Sequence, residues 1–364
     1  MIPTAKSRAV MIKSNKMSFE TIQLPKNPRI LIVRTDRIGD LVLTLPLFAS
    51  IRQAWPEAYI AALVRDYTRE LVEGRDDVDE VISFDSPGAH LPGGMILPMA
   101  ARLRALKFDA AILPYLKTSV ALAVALARIP LRIGPATKIA QIFLNRRISQ
   151  RRSKSLKNEA DHNLELLTPL GVKPVRVAKI PVDNSAPGVF SKNHDRPLVG
   201  IHPGHGGSAR TWPIARWEEL ALALTQEGYS VAVTGAAQER ELVDRVAQAA
   251  GGGAQKYIGD RGLRQLARAL SDLDAFVAPS TGPLHIASAV GVPVVGIYCP
   301  IFVCLPERWG PIGPGGGAIR PEVNPCDYCV GRDCPHFDCM DSITPTHIVA
   351  QVRARLGRAP VGAR

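Results

Sequence analysis

Asp274-Ala-Phe-Val-Ala-Pro279-Ser280-Thr281-Gly282-Pro283-Leu284-His285-Ile-Ala-Ser-Ala-Val290-Gly291-Val-Pro-Val-Val-Gly-Ile-Tyr298 is the stretch whose reading decides the fold. Asp274 to Ala278 is a short apolar run and predicts a buried strand. Ser280 or Thr281 can cap the helix that follows, Gly282 lets a ligand approach the backbone, and Pro283 suits a first helical turn. Leu284 to Val290 is a helix of small residues, and Val292 to Tyr298 a second buried strand. Such a unit puts the turn at the carboxyl end of a parallel strand, where open α/β sheets bind ligands. The free N–H groups and dipole of the helix start attract an anion, most often a phosphate.

The same grammar runs through both halves of the 364 residues. Arg29 to Arg34 is a strand, Thr35 to Asp40 its turn, and Leu41 to Ala54 a helix flawed internally by Pro46. Strands at Ala58 to Val64, Val78 to Phe84 and Phe108 to Pro114 follow, with a helix around Met99 to Leu106. A Pro-, Asn-, Ser- and Gly-rich break begins near Val182 and runs to Pro197. The pattern then restarts with a strand at Leu198 to His202, a Gly-rich loop at Pro203 to Pro213, a helix at Ala215 to Glu227, a strand at Ser230 to Thr234 and a helix at Gln238 to Ala250. The alternation predicts an α/β protein of two doubly wound Rossmann-like domains facing a central cleft. Residues 1–28 read as a basic flexible tail, 29–185 as the first domain, 186–197 as a linker and 198–364 as the second domain. The last helix, Thr346 to Leu356, is expected to pack back against the first half.

The net charge of +12 speaks to partners. Lys138, Arg146, Arg147, Arg151, Arg152, Lys154 and Lys157 stand together with no acid among them, and Ile139, Ile142, Phe143 and Ile148 interleave at roughly helical spacing. This basic helix suits anionic lipid headgroups or a phosphorylated acceptor; its plainer reading is a solvated surface helix. Nucleic acid is not expected, since no recognition motif is present and aromatic residues for base stacking are few. No apolar run is long enough to span a bilayer, and the start lacks the apolar segment of a secretory signal, so a cytoplasmic location is expected.

Three loops that each follow a strand would meet in the cleft: Thr35 to Asp40, His202 to Trp212 and Ser280 to His285. They bring together a carboxylate, a cation beside a Gly-rich loop and a helix start, a set suited to transfer from a phosphorylated donor. Ile30 through Pro46, Pro203-Gly204 through Ala209-Arg210-Thr211-Trp212-Pro213, and Ser280 through His285 resemble, in order and spacing, the three motifs of the glycosyltransferase family 9 heptosyltransferases. The resemblance covers nearly the whole chain from Arg29. It implies a GT-B fold, an acceptor on the first domain, a nucleotide-sugar donor such as ADP-heptose on the second, and inverting transfer to a lipopolysaccharide inner-core sugar without a catalytic metal.

Under that resemblance Asp40 matches the general base, with Asp36 the alternative carboxylate and a plain helix cap the structural alternative. A carboxylate at a helix start is expected to stay ionised and be a weak base at rest. Arg34, Arg37 and Gly39 fall on the acceptor side. Gly204, Ser208, Arg210, Ser280, Thr281, Gly282 and His285 fall on the donor side. Arg210 stands where the family has lysine, and its guanidinium can bridge two phosphate oxygens. Ser280 stands where the family usually has Asp, which leaves room for a different donor sugar, a protein acceptor or a module that binds without turnover. His285 would donate to the diphosphate or satisfy a buried carbonyl. His202 and His205 are as readily structural as functional, and Thr234, Gly235 and Gln238 would lie near the nucleotide base.

Cys326-x2-Cys329-x4-Cys334-x4-Cys339 has spacing suited to a structural zinc or iron, with His336 as an extra ligand. Similar tails are common in the resembled family, so reduced cysteines along a loop are the other reading. Cys299 and Cys304 read as core or loop positions.

Overall fold

The computed structural model describes residues 21–357 apart from 87–88, 155–156, 184, 186, 194, 207–209, 260–261, 314 and 324–338. Among these, two six-stranded sheets follow each other along the chain, and every pairing within them is parallel. The first half supplies β1 (Arg29–Arg34), β2 (Tyr59–Arg65), β3 (Glu80–Phe84), β4 (Ala110–Ile112), β5 (Leu131–Pro135) and β6 (Arg146–Ile148), ordered β3-β2-β1-β4-β5-β6. The second supplies β7 (Leu198–Ile201), β8 (Ser230–Ala236), β9 (Gln255–Gly259), β10 (Ala275–Pro279), β11 (Val294–Ile297) and β12 (Gly316–Ile319), ordered β9-β8-β7-β10-β11-β12. Both halves therefore wind alike. Their strand order reverses between β1 and β4 and between β7 and β10, and the crevice outside such a reversal is where open α/β sheets hold ligands.

Helices cover both faces: α1 (Ile38–Val42), α2 (Leu45–Ala54), α3 (Ile96–Ala105), α4 (Thr118–Leu126) and α5 (Glu159–Leu164) in the first half. The second half has α6 (Ile214–Gln226), α7 (Arg240–Ala249), α8 (Gly262–Ser271), α9 (Gly282–Ala289), α10 (Pro306–Trp309) and α11 (Pro345–Arg355). The central strands are continuous apolar runs because both of their faces are covered; Ile30 to Val33 and Ala275 to Ala278 are fully buried. Among the described residues no helix is long and apolar enough to cross a membrane.

Several expectations change. Pro46 does not flaw one long helix. The chain turns at Leu43 and Thr44, the Thr44 hydroxyl donates to the Asp40 carbonyl (2.8 Å), and Pro46 enters the first turn of a new helix, where its missing N–H costs nothing. Residues 21–28 are tied down, with the Ile22 amide donating to the Pro169 carbonyl (2.8 Å). The segment read as a linker is anchored to the second half through the Val189 and Phe190 amides, which donate to Asp272 Oδ2 (2.6 and 3.1 Å). The basic stretch is no α-helix: it folds as a 3-10 turn at Ile139–Phe143, edge strand β6 and a second 3-10 turn at Arg152–Lys154. α11 packs on α6 and β11, burying Ile348, Val349 and Val352 in the second half's own core.

The two halves meet where α1 lies against α9. Gly282 is needed there because a Cβ at that position would lie 2.8 Å from Ile38 Cβ; Gly39 is needed because a Cβ would lie 2.8 Å from His285 Cδ2. Gly282 thus admits a neighbouring helix, where the sequence suggested it admitted a ligand. Gly282→Ala is expected to cost about 1–3 kcal/mol by overpacking this contact, which thermal unfolding would register as a melting point several degrees lower.

Candidate active site

Arg34, the last residue of β1, is 2% exposed and carries its guanidinium into a cluster of acids. Its Nε and Nη2 donate to the two carboxylate oxygens of Asp36 (2.7 and 2.9 Å), and Nη2 also donates to Asp40 Oδ1 (2.5 Å). Nη1 faces Asn163 Oδ1 at 3.3 Å and Glu159 Oε1 at 3.7 Å. Burial opposes the charge on Arg34, but Asp36, Asp40 and Glu159 outweigh it and hold the pKa above the ordinary value. Glu159 is also paired with Arg152 and lies 3.5 Å from Arg308 of α10, so the second half contributes to the cluster. Asn158 reinforces the junction: its Oδ1 caps α5 by accepting from the Ala160 amide (3.0 Å), and its Nδ2 donates to the Gly310 carbonyl (3.0 Å).

This surrounding overturns the expectation of a strongly acidic Asp40. Desolvation, then the charge on Asp36, raise its pKa; Arg34 pulls it down and Glu159 raises it further, leaving it at about 7. A five-residue helix supplies too little dipole to offset these effects. Arg34, expected on the acceptor side, is buried beneath this carboxylate and lines none of the described cleft cavities.

Asp40 opens onto a cavity of about 510 Å³ walled by both halves, with Arg37, Gly39 and Tyr67 on one side and Gly206, Ser280, Thr281, Gly282, His285 and Arg308 on the other. Tyr67 donates its hydroxyl to the Asp36 carbonyl (2.8 Å). Thr281 occupies the cap position of α9, yet its Oγ1 donates back to the Pro279 carbonyl (3.2 Å), so the helix's first amides are not closed by a side chain. His285 is 4% exposed, its Nδ1 finds no partner among the described residues, and burial pushes its pKa down to about 4. It is a neutral imidazole against Gly39. The expectation that it satisfies a buried carbonyl is not met.

A second cavity of about 350 Å³ adjoins the first through Ile38, Gly206, Thr281 and Gly282, and is lined by His202, His205, Gly235, Gln238, Glu239 and Leu263. Glu239 was not singled out from the sequence. Its Oε2 accepts from the Ala236 amide (2.9 Å), and its carboxylate lies so close over Gly204 that a Cβ there would sit 2.3 Å from it. Gly204 therefore admits a carboxylate. His202 is buried, with Nδ1 3.0 Å from Thr234 Oγ1; burial lowers its pKa against the pull of Glu239. Arg210 borders a small cavity together with Ser280, Thr281, His205, Cys299 and Cys304, so the second and third motifs do converge. Ser208, Cys326, Cys329 and Cys334 lie outside the described residues, while Cys339 packs against the core of the second half. Glu159 and Glu239 also escaped the sequence reading: each sits at a helix start, where an acid is ordinary. The nearest available signal was Asn158-Glu159, a capping residue beside an acid.

The family model for glycosyltransferase family 9 (heptosyltransferase) matches residues 96–338. A Haemophilus influenzae protein provisionally assigned as a glycosyltransferase is 32% identical over 302 residues, covering 78% of this chain and 86% of its own. Lipopolysaccharide heptosyltransferase 2 of Salmonella typhimurium is 26% identical, covering 92% of this chain and 100% of its own. The solved structure of Escherichia coli ADP-heptose lipopolysaccharide heptosyltransferase II superposes with a TM-score of 0.73 at 22% identity, over 90% of this chain and 98% of that one. The fold is GT-B. The chain belongs to glycosyltransferase family 9 and is a glycosyltransferase.

Arg34→Met would leave Asp36, Asp40 and Glu159 without their shared counter-charge. Breaking a buried pair in this way is expected to cost about 3–5 kcal/mol at pH 8. The loss should shrink as pH falls, because Asp40, whose pKa is already raised to about 7, takes up a proton and its repulsion with Asp36 is removed. Denaturant unfolding at about pH 8 and about pH 6 checks both the size and the direction.

Proposed function

We propose that the chain is an inverting glycosyltransferase that moves heptose from ADP-heptose to an inner-core sugar of lipopolysaccharide, at the inner face of the inner membrane. The observation that carries this reading is the single cavity in which Asp40 of the first half faces the Ser280–His285 turn of the second. The names of the relatives support the donor and the acceptor.

In the reaction, the acceptor hydroxyl oxygen attacks the anomeric carbon, the bond from that carbon to the diphosphate oxygen breaks, and ADP leaves with the bonding pair. Asp40 takes the hydroxyl proton. A carboxylate whose pKa lies at about 7 is a far better base than an ordinary one and is still ionised in good part at neutral pH. Arg34 acts through Asp40: it aims the carboxylate and keeps its pKa from rising further. Arg37 and Gly39 border the acceptor side. Arg210, Thr281 and the first amides of α9, from Gly282 on, hold the leaving diphosphate. The adjoining cavity takes the nucleoside, with Glu239 placed to accept from ribose hydroxyls and Gln238 near the base. His285, neutral, can donate to a phosphate oxygen without titrating near neutrality. No step requires a cofactor.

Ser280 favours a second reading within the family. A hydroxyl in place of a carboxylate at the cavity wall suits a donor sugar other than heptose, or a protein acceptor.

Asp40→Ala is expected to lower transfer by about 10²–10⁴-fold while ADP binding, read by calorimetry, stays near normal. Arg210→Lys should keep most donor affinity and Arg210→Ala lose it. Near-normal turnover by Asp40→Ala would remove Asp40 from the role. Binding of a nucleotide sugar without turnover on any truncated lipopolysaccharide core or protein acceptor would instead identify a binding module.

A further inference from the structure

The turn after β5 carries an unusual surface. Ile139 is 80% exposed and Ile142 62% exposed, while Ala140 is buried and Phe143 packs into the core beneath. In a 3-10 turn, residues three apart stand above one another. Ala140 and Phe143 therefore share the inward face, and Ile139 and Ile142 form one outward apolar ridge. Lys138, just before the ridge, adopts φ 61°, a left-handed backbone uncommon for a residue with a side chain. Its ammonium lies 4.4 Å from the Tyr115 ring centroid, and the same ring has the Arg34 guanidinium 5.8 Å away. The strained residue thus points its side chain toward the catalytic cluster while the next residue points to solvent. Met95 (44% exposed) and Leu97 (69% exposed) stand at the start of α3, on the same carboxyl edge of the first sheet.

The surroundings are positive. Arg146, Arg147, Arg151 and Lys154 are exposed, no acid occurs between Lys138 and Glu159, and α4, which packs on the turn, carries none. An apolar ridge beside cations, with no acid to repel phosphate, fits an anionic bilayer: the isoleucines reach the acyl boundary and the arginines meet headgroups. We propose that residues 138–154 are the membrane-docking element of this protein, with Ile139 and Ile142 inserted into anionic lipid. The element then holds the acceptor half of the cleft against the surface in which a glycolipid acceptor is anchored, and to that extent it rests on the proposed acceptor. The structural alternative is that Arg146 and Arg147 only guard the open edge of β6 against strand pairing.

The test is sedimentation of the full-length protein with phosphatidylcholine vesicles, with and without phosphatidylglycerol. The protein should pellet only with the anionic vesicles, and less as salt rises. Ile139→Glu with Ile142→Glu, and separately Ile139→Ser with Ile142→Ser to exclude simple charge repulsion, should each weaken partition by about tenfold or more. Arg146→Ser with Arg147→Ser should weaken it and flatten the salt dependence. All three variants should turn over a water-soluble truncated acceptor at the native rate. Anionic-vesicle binding unchanged by the isoleucine variants, or absent from the native protein, overturns the proposal. So does an arginine variant that aggregates yet still binds vesicles, which marks an edge guard, or a dimer that breaks with Ile139→Glu while vesicle binding persists. Because partition is read without turnover, failure of the heptose-transfer reading leaves this outcome interpretable.

Discussion

One buried guanidinium organises the centre of this molecule. Arg34 ends a strand in which the four residues before it, Ile30 to Val33, are wholly buried and apolar, so its charge is viable only because Asp36, Asp40 and Glu159 surround it. The dependence is mutual. Without Arg34, Asp36 and Asp40 would share a poorly solvated site with no counter-charge, while Glu159 would keep only Arg152 and Arg308. The cluster binds β1, α1 and α5 of the first half to one another, and through Arg308 it reaches α10 of the second. The same electrostatics that hold the fold together here also tune the carboxylate that faces the cleft.

The second constraint is steric. α1 and α9 can bring their starts together only because Gly39 lacks a Cβ against His285 and Gly282 lacks one against Ile38. Each half thus contributes one glycine and one side chain to a reciprocal contact. The consequence for function is a short path from Asp40 to the amides of α9. A buried carboxylate on one sheet and the start of a helix on the other become walls of one cavity.

The central strands and the three loops after them were legible because burial on both faces leaves an unbroken apolar signature and because Gly, Ser, Thr and Pro mark the turns. The edges were not. β6 is Arg-Arg-Ile, β9 begins Gln-Lys-Tyr and β12 is Gly-Gly-Ala-Ile; edge strands are built from residues that discourage further pairing, which removes the pattern that identifies a strand. The basic stretch looked helical because Ile139, Ile142 and Phe143 recur at spacings that a 3-10 turn also satisfies. α11 was misplaced because amphipathicity says that a helix packs without saying on which sheet. At the site, Asp40 was singled out from its motif, but the rise in its pKa was not legible there. That rise comes first from burial, then from Asp36, and in smaller part from Glu159, which is more than a hundred residues away and meets Asp40 only once α5 is docked.

The central claim is that this cluster poises Asp40 as a base near neutrality. The most direct test is the pH dependence of kcat/KM for transfer to an acceptor that carries no phosphomonoester, since that profile reports the ionisation of the free enzyme's base. The account predicts one limb rising with pH through about 7, moved to lower pH in Glu159→Gln because a charge that raises the Asp40 pKa is gone. A profile flat down to about pH 5, the upper reach of an ordinary carboxylate, or a limb that Glu159→Gln leaves in place, would contradict it.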